Sequence, residues 1–207
     1  MKRNVQLTVV ASAVLALGTL SARAGIAGSA HDFSGETWNS SGEICIVCHT
    51  PHNANTSVSN SPLWNHDVTT ATYTLYTGSG TLDATLGQPS GVSKLCLSCH
   101  DGTVALDSFG GNTGSTTIAG DAKLGTDLSN DHPVSFTYDA NLASTDGGLF
   151  DPSTTNSGLG GTIADDMLFN GQLECASCHD VHNDAGNSHL LVKDNSGSAL
   201  CLTCHDK

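Results

Sequence analysis

The stretch CIVCHTPHN, residues 45–53, returns as CASCHDVHN, residues 175–183. Both read Cys-x-x-Cys-His and then place a second histidine three residues on. A different motif follows each copy: KLCLSCHDG (94–102) after the first and ALCLTCHDK (199–207) after the second. The chain therefore carries an internal repeat, two paired-motif modules spanning about 31–101 and 132–207, joined by a connecting segment rich in Gly, Thr and Asp. All eight cysteines of the 207 residues fall in the four pairs Cys45/Cys48, Cys96/Cys99, Cys175/Cys178 and Cys201/Cys204. His49, His100, His179 and His205 follow them directly. Histidine is only 10 of the 207 residues, so four such placements are not chance.

The spacing has a chemical reason. Two thiols separated by two residues reach both vinyl groups on one edge of a porphyrin from a single turn of chain. The adjacent imidazole then meets the iron. Cys-x-x-Cys-His is the attachment signature of c-type haem. Structural zinc uses Cys-x-x-Cys pairs but does not require a histidine after every second cysteine. Thioredoxin-like redox chemistry needs one such motif in an α/β domain, not four in a glycine-rich chain. Disulfides in an exported protein leave the histidines unexplained. The reading is four covalently bound haem c groups.

Six histidines remain: His31, His52, His66, His132, His182 and His189. Each haem iron has a second axial position to fill. His49 and His52 are three residues apart, so on a helical turn they leave the same face. The two axial ligands of one haem lie on opposite sides of the porphyrin plane. A chain held by two thioethers and His49 cannot cross that plane in three residues. His52 is therefore expected to serve a different haem, and His182, three residues after His179, likewise. Such couplings would place haems close together. Pro133 restricts the backbone beside His132. His66 lies beside Trp64 in PLWNHD, and His189 precedes Leu190 and Leu191.

The chain opens MKRNVQLTVVASAVLALGTLSARA, with a basic start, an apolar stretch and a small-x-small end at Ala22–Ala24. Residues 1–24 read as a secretory signal peptide, leaving 25–207 as an exported domain. The apolar stretch is shorter than the ~20 residues of a membrane span, so membrane insertion is not expected. Removing the leader leaves four lysines and no arginine against 20 acidic residues, a balance of −16. Nucleic acid has no basic surface to bind, and anionic membranes are disfavoured alike. Large apolar side chains are sparse while Gly, Ser, Thr, Asn and Asp abound. The expected fold is mostly irregular coil with short helices and at most a small β-hairpin, wrapped around four stacked haems that replace a side-chain core. TATYTLYTG (70–78) and VSFTYD (134–139) are the strand candidates. Asp121, Asp127, Asp131, Asp165 and Asp166 could hold divalent cations near haem propionates, against a plainer role as solvated loop acids.

The elements HDFS (31–34), CIVCHTPHN, PLWNH (62–66), LCLSCHDGT (95–103), NDHPVSFTYD (130–139), CASCHDVHN and SALCLTCHDK (198–207) resemble the doubled-CxxCH multihaem cytochromes of metal-respiring bacteria. They resemble more closely the tetrahaem members that polymerise into extracellular cytochrome nanowires. The resemblance implies bis-histidine haems, with His31, His52, His132 and His182 as distal ligands. His66 is a reserve candidate, and His189 matches no element of the pattern. It also implies a homopolymer in which one distal histidine crosses the subunit interface, with His52 or His31 as candidates. Bis-histidine iron has no open position, so an electron carrier is expected rather than an enzyme. Its partners would be copies of itself and redox proteins or extracellular electron acceptors. The location would be extracellular or cell-surface, with the periplasm second. The alternatives are a monomeric periplasmic shuttle and, in another class, an oxyanion reductase with one open haem.

Overall fold

A computed structural model describes residues 25–78 and 80–206. The leader expected at 1–24 lies outside the described residues. Among the described residues no helix is long and apolar enough to cross a membrane.

Most of the chain is irregular, as its composition requires. Four short helices interrupt it: α1 (Gly91–His100), α2 (Ala140–Asp146), α3 (Ile163–Asp166) and α4 (Cys201–Cys204). Each of the middle two begins on a side-chain cap. Asp139 accepts from the Leu142 N–H at 2.9 Å to start α2, and Gly147, at φ 68°, ends it. Thr162 and Asp165 cap each other reciprocally at the start of α3.

The sheet is a two-residue antiparallel pair, β1 (Phe136–Thr137) with β2 (Gln172–Leu173), in register Phe136 to Leu173. Only one of the two strand candidates enters it. Residues 70–78 stay extended and form no strand, only an isolated parallel bridge, Thr74 to Asp127. The reason is local. The Gln88 side chain accepts from the Tyr73 N–H at 2.8 Å and donates to the Tyr73 carbonyl at 3.0 Å. One amide side chain thus does for Tyr73 what a neighbouring strand would do.

Two small apolar clusters form. The larger gathers Phe136, Tyr138, Ala143, Ile163, Met167, Leu173 and Leu200, with Cys178 and Cys204 packed against its edge. Much of it comes from the stretch between the second and third motifs. The smaller holds Tyr73, Leu97 and Leu128. Neither is a core of the size a chain this long usually builds.

Candidate haem site

Each Cys-x-x-Cys-His motif winds into one helical turn. The His N–H donates to the first cysteine's carbonyl at 2.8 Å for His49, 3.1 Å for His179 and 3.0 Å for His205, while the second motif closes α1. On such a turn the cysteines and the histidine, at i, i+3 and i+4, share one face. The residue just before the second cysteine faces the other way. It is buried in all four motifs: Val47, Ser98, Ser177 and Thr203. The three hydroxyls are anchored. Ser98 donates to the Lys94 carbonyl at 2.8 Å, Ser177 accepts from the Glu174 N–H at 2.9 Å, and Thr203 donates to the Ala199 carbonyl at 2.9 Å. The turn is nailed to the protein from behind and presents sulfurs and imidazole from the front. The sequence shows this only as a small or β-branched residue at one fixed place.

The front faces meet in pairs. The rings of His49 and His182 are stacked 12° from parallel with centroids 6.2 Å apart. Those of His31 and His100 are 6.0 Å apart, and those of His132 and His205 are 6.3 Å apart. Every pair joins one motif histidine to one of the six others. An imidazole nitrogen binds a first-row metal at about 2.0–2.1 Å, and the ring centre lies about 1.1 Å beyond it. Two rings on opposite sides of one iron would therefore have centroids about 6.3 Å apart, a value all three pairs approach.

The ring nitrogens are arranged for the same task. The Nδ1 atoms of His49, His100, His179 and His132 lie 2.6, 2.8, 2.9 and 2.9 Å from the carbonyls of Pro62, Ala122, His189 and Pro133. A carbonyl only accepts, so Nδ1 carries the proton and Nε2 keeps its lone pair for a metal. Burial, then the neighbouring His100 and His179, push the pKa of His31 down to about 4, which keeps its ring neutral. Two buried N–H-bearing atoms lack any partner, Nδ1 of His31 and Nε1 of Trp64. Trp64 bridges to His49 along the backbone and lies edge-on to His66. Haem propionates are acceptors of the kind these atoms need, so the donor set fits haem.

The remaining candidates fall elsewhere. His66 is only 1% exposed and turns its Nε2 toward Cys99 Sγ at 3.7 Å, with its Nδ1 on the Asp67 carbonyl at 2.8 Å. It faces a haem-anchoring sulfur and no motif histidine. His189 contributes its carbonyl to His179, from a left-handed backbone at φ 57°. His52 is exposed and its ring meets no other ring. Among the described residues no ring faces His179.

The sulfurs link successive motifs. Cys96 and Cys175 are near enough to shift each other's ionisation, Cys96 upward and Cys175 downward. Burial and then Cys48 push Cys99 up to about 12, and burial and then Cys204 push Cys178 up to about 11. Each motif thus feels the sulfurs of a motif next to it in sequence. Glu174, 3% exposed, locks the middle junction. It accepts from the Ser93 N–H at 3.2 Å, from the Ser93 hydroxyl and from the Ser135 hydroxyl at 2.9 Å. Ser93 Oγ in turn accepts from the Cys175 N–H at 2.9 Å. The carboxylate thereby caps α1, which lacks a cap of its own, and pins the third motif to the helix bearing the second.

Among the described residues no three His, Cys, Asp or Glu side chains converge as a zinc site requires. Of the two roles expected for the aspartates, cation ligand or loop acid, three of the five show the second. Asp127 accepts from the Ser129 N–H, Asp165 caps Thr162, and Asp166 accepts from the Ser157 hydroxyl and the Gly161 N–H. Asp121 and Asp131 join no such group either. The carboxylates of Asp127, Asp165 and Asp166 close turns. A cavity of about 550 Å³ bordered by Asn55, Asp67, Thr103 and Ser115 is open and holds no motif residue.

Residues 168–207 match the family model for the doubled CXXCH motif. The match covers the third and fourth motifs and supports a multihaem c-type cytochrome, an electron carrier with covalently attached haem. No curated protein matches the chain.

Proposed function

We propose that the chain carries electrons through four covalently attached, closely spaced haems and works as one subunit of an extracellular filament. The observation that carries this reading is the set of three histidine pairs at 6.0–6.3 Å. His49 and His182 would hold the first iron, His100 and His31 the second, His205 and His132 the fourth. Iron saturated in this way binds no substrate and exchanges electrons only. That each motif feels the sulfurs of a motif next to it in sequence supports haems that follow one another along the chain.

The third iron, on His179, has no ring partner of its own among the described residues, since the nearby His31 is paired with His100, and His52 is a histidine without a ring partner. Repeating the His179–His182 relation, in which the second histidine serves another haem, gives His52 the same office. Supplied from a neighbouring copy, it would close the third iron and continue the haem chain between subunits. Export through the leader agrees with this, since c-type haem is attached outside the bacterial cytoplasm.

The same open iron supports a second reading. If no copy supplies His52, the third haem has a free position, as an oxyanion reductase needs, or the chain is a soluble shuttle. Cryo-electron microscopy of the secreted, haem-loaded protein separates these. Filaments with a continuous haem chain and His52 density at the neighbour's iron support the proposal. Monodisperse particles with an open third iron refute it.

A further inference from the structure

Gly25 is the first residue after the expected leader, and it is tied to the turn that carries His182. Asn183 Nδ2 donates to the Gly25 carbonyl at 3.2 Å. A Cβ at residue 25 would collide with the Asn183 carbonyl oxygen and lie 3.4 Å from that of His182. Glycine is needed here for space. Leader processing does not ask for it, because the small residues it reads are Ala22 and Ala24. The same side chain carries an anomaly. Asn183 Oδ1 is buried and has no hydrogen-bond partner. With Nδ2 committed to the Gly25 carbonyl, Oδ1 is an empty acceptor beside the Gly25 backbone.

We propose that cleavage of the Ala24–Gly25 bond completes this site. Hydrolysis adds water across the peptide bond, leaving a carboxylate on Ala24 and an α-ammonium on Gly25. The ammonium carries three N–H donors that rotate freely and places one on Asn183 Oδ1, whereas the acylated nitrogen of a precursor has a single N–H fixed in the peptide plane. The new terminus then clamps the turn that positions His182. Asn183, at φ 55°, donates to the Asp180 carbonyl at 2.9 Å and accepts from the Gly186 N–H at 3.1 Å. Asp180 Oδ1 accepts from the His182 N–H at 3.0 Å. Export thus finishes a haem ligand's support after the protein has left the compartment where its haems are absent. Gly25 and Asn183 are positioning residues, and the inference rests on His182 serving the first iron and on the leader ending at Ala24.

The test compares haem-loaded protein beginning at Gly25 with protein carrying one extra serine ahead of it, each with Asn183, Asn183→Asp or Asn183→Ala. Intact mass fixes the actual terminus. The thermal midpoint and the rate of carbon monoxide binding to the reduced protein are then read. With a free Gly25, Asn183→Asp raises the midpoint and Asn183→Ala lowers it. With the extra serine, Asn183→Asp lowers it, Asn183→Ala leaves it unchanged, and carbon monoxide reaches one haem severalfold faster. Identical responses in both backgrounds overturn the clamp. A secreted terminus other than Gly25 overturns the leader reading, and a His182→Ala variant with unchanged carbon monoxide uptake overturns the ligand assignment.

Discussion

Replacing His182 by alanine should open one iron and only one. The rings of His49 and His182 are 6.2 Å apart and 12° from parallel, and no other histidine ring meets His49. His52, the nearest in sequence, leaves the same face of the turn as His49 and cannot cross the porphyrin plane. The change therefore converts one haem in four, about a quarter of the ferric signal, from low spin to high spin. In the reduced protein it adds one carbon monoxide per chain. His189→Ala is the control, since only the His189 carbonyl is engaged and alanine keeps it. The assay is electron paramagnetic resonance with a carbon monoxide titration on filaments and on dispersed subunits. Filaments of the parent protein should bind none and dispersed subunits one, at the His179 iron. The variant should bind one and two. Unchanged uptake in the variant would remove His182 from the ligand set, and a dispersed parent that binds none would mean that its own chain serves His179.

Three other outcomes follow from the same geometry. Glu174→Ala leaves Ser93 and Ser135 without their shared acceptor and uncaps α1, so denaturant unfolding of the haem-loaded protein should show a loss of about 2–3 kcal/mol with its spin states unchanged. A loss under about 0.5 kcal/mol, the size of an ordinary surface change, would refute that role. The Ser157 hydroxyl and then the Gly161 N–H hold the Asp166 carboxyl below its usual range. Its contribution is therefore complete above the unfolded value of about 3.9 and is lost as pH falls through the lower folded value. Asp166→Asn should flatten the acid limb of the stability profile, and an unchanged limb would show that the turn does not depend on the charge. Finally, with all eight cysteines replaced by serine the chain should give a circular dichroism spectrum without helix at room temperature, because its two apolar clusters are too small to fold it. A folded haem-free chain would contradict the reading.

The sequence displayed what covalent chemistry fixes and hid what the backbone supplies. The four motifs are legible because two thiols and an imidazole must stand at set offsets to meet one porphyrin edge. The three-residue spacing gave the expectation that His182 turns away from its own motif. Which motif it faces did not follow, because His49 and His182 meet through contacts 133 residues apart. Read from the residues alone, His31 and His132 stood among six candidates; the family resemblance singled them out with His52 and His182, and the structure sets their rings against those of His100 and His205. The carbonyls of Pro62, Ala122 and His189 orient the motif histidines, yet every residue has a carbonyl and no side chain marks these three. The strand alternation at 70–78 was a true signal of an extended segment, but Gln88, a polar residue outside the pattern, takes the partner strand's place. The aspartates left two roles open, cation ligand or loop acid, because Asx-type turns use the same residues, and Asp127, Asp165 and Asp166 take the second.

The same contacts that hold the fold also set the order of the proposed electron path. The Cys175 N–H donates to Ser93 Oγ on the helix bearing Cys96, and Glu174 holds the two motifs together through Ser93 and Ser135. His182, three residues beyond the third motif, faces the first motif's histidine. The third motif is therefore bound to the second through Cys175 and Glu174 and to the first by its trailing histidine. Loss of haem at Cys175 and Cys178 should loosen both neighbours, whereas loss at Cys201 and Cys204 should disturb only the pair His132–His205 and the cluster around Leu200. A Cys175→Ser/Cys178→Ser protein should thus show a high-spin fraction among its remaining three haems, and a Cys201→Ser/Cys204→Ser protein should keep its other ligand pairs low-spin. Equal damage from both would mean that the four haems are held as one block, and that the neighbouring sulfurs do not govern how they couple.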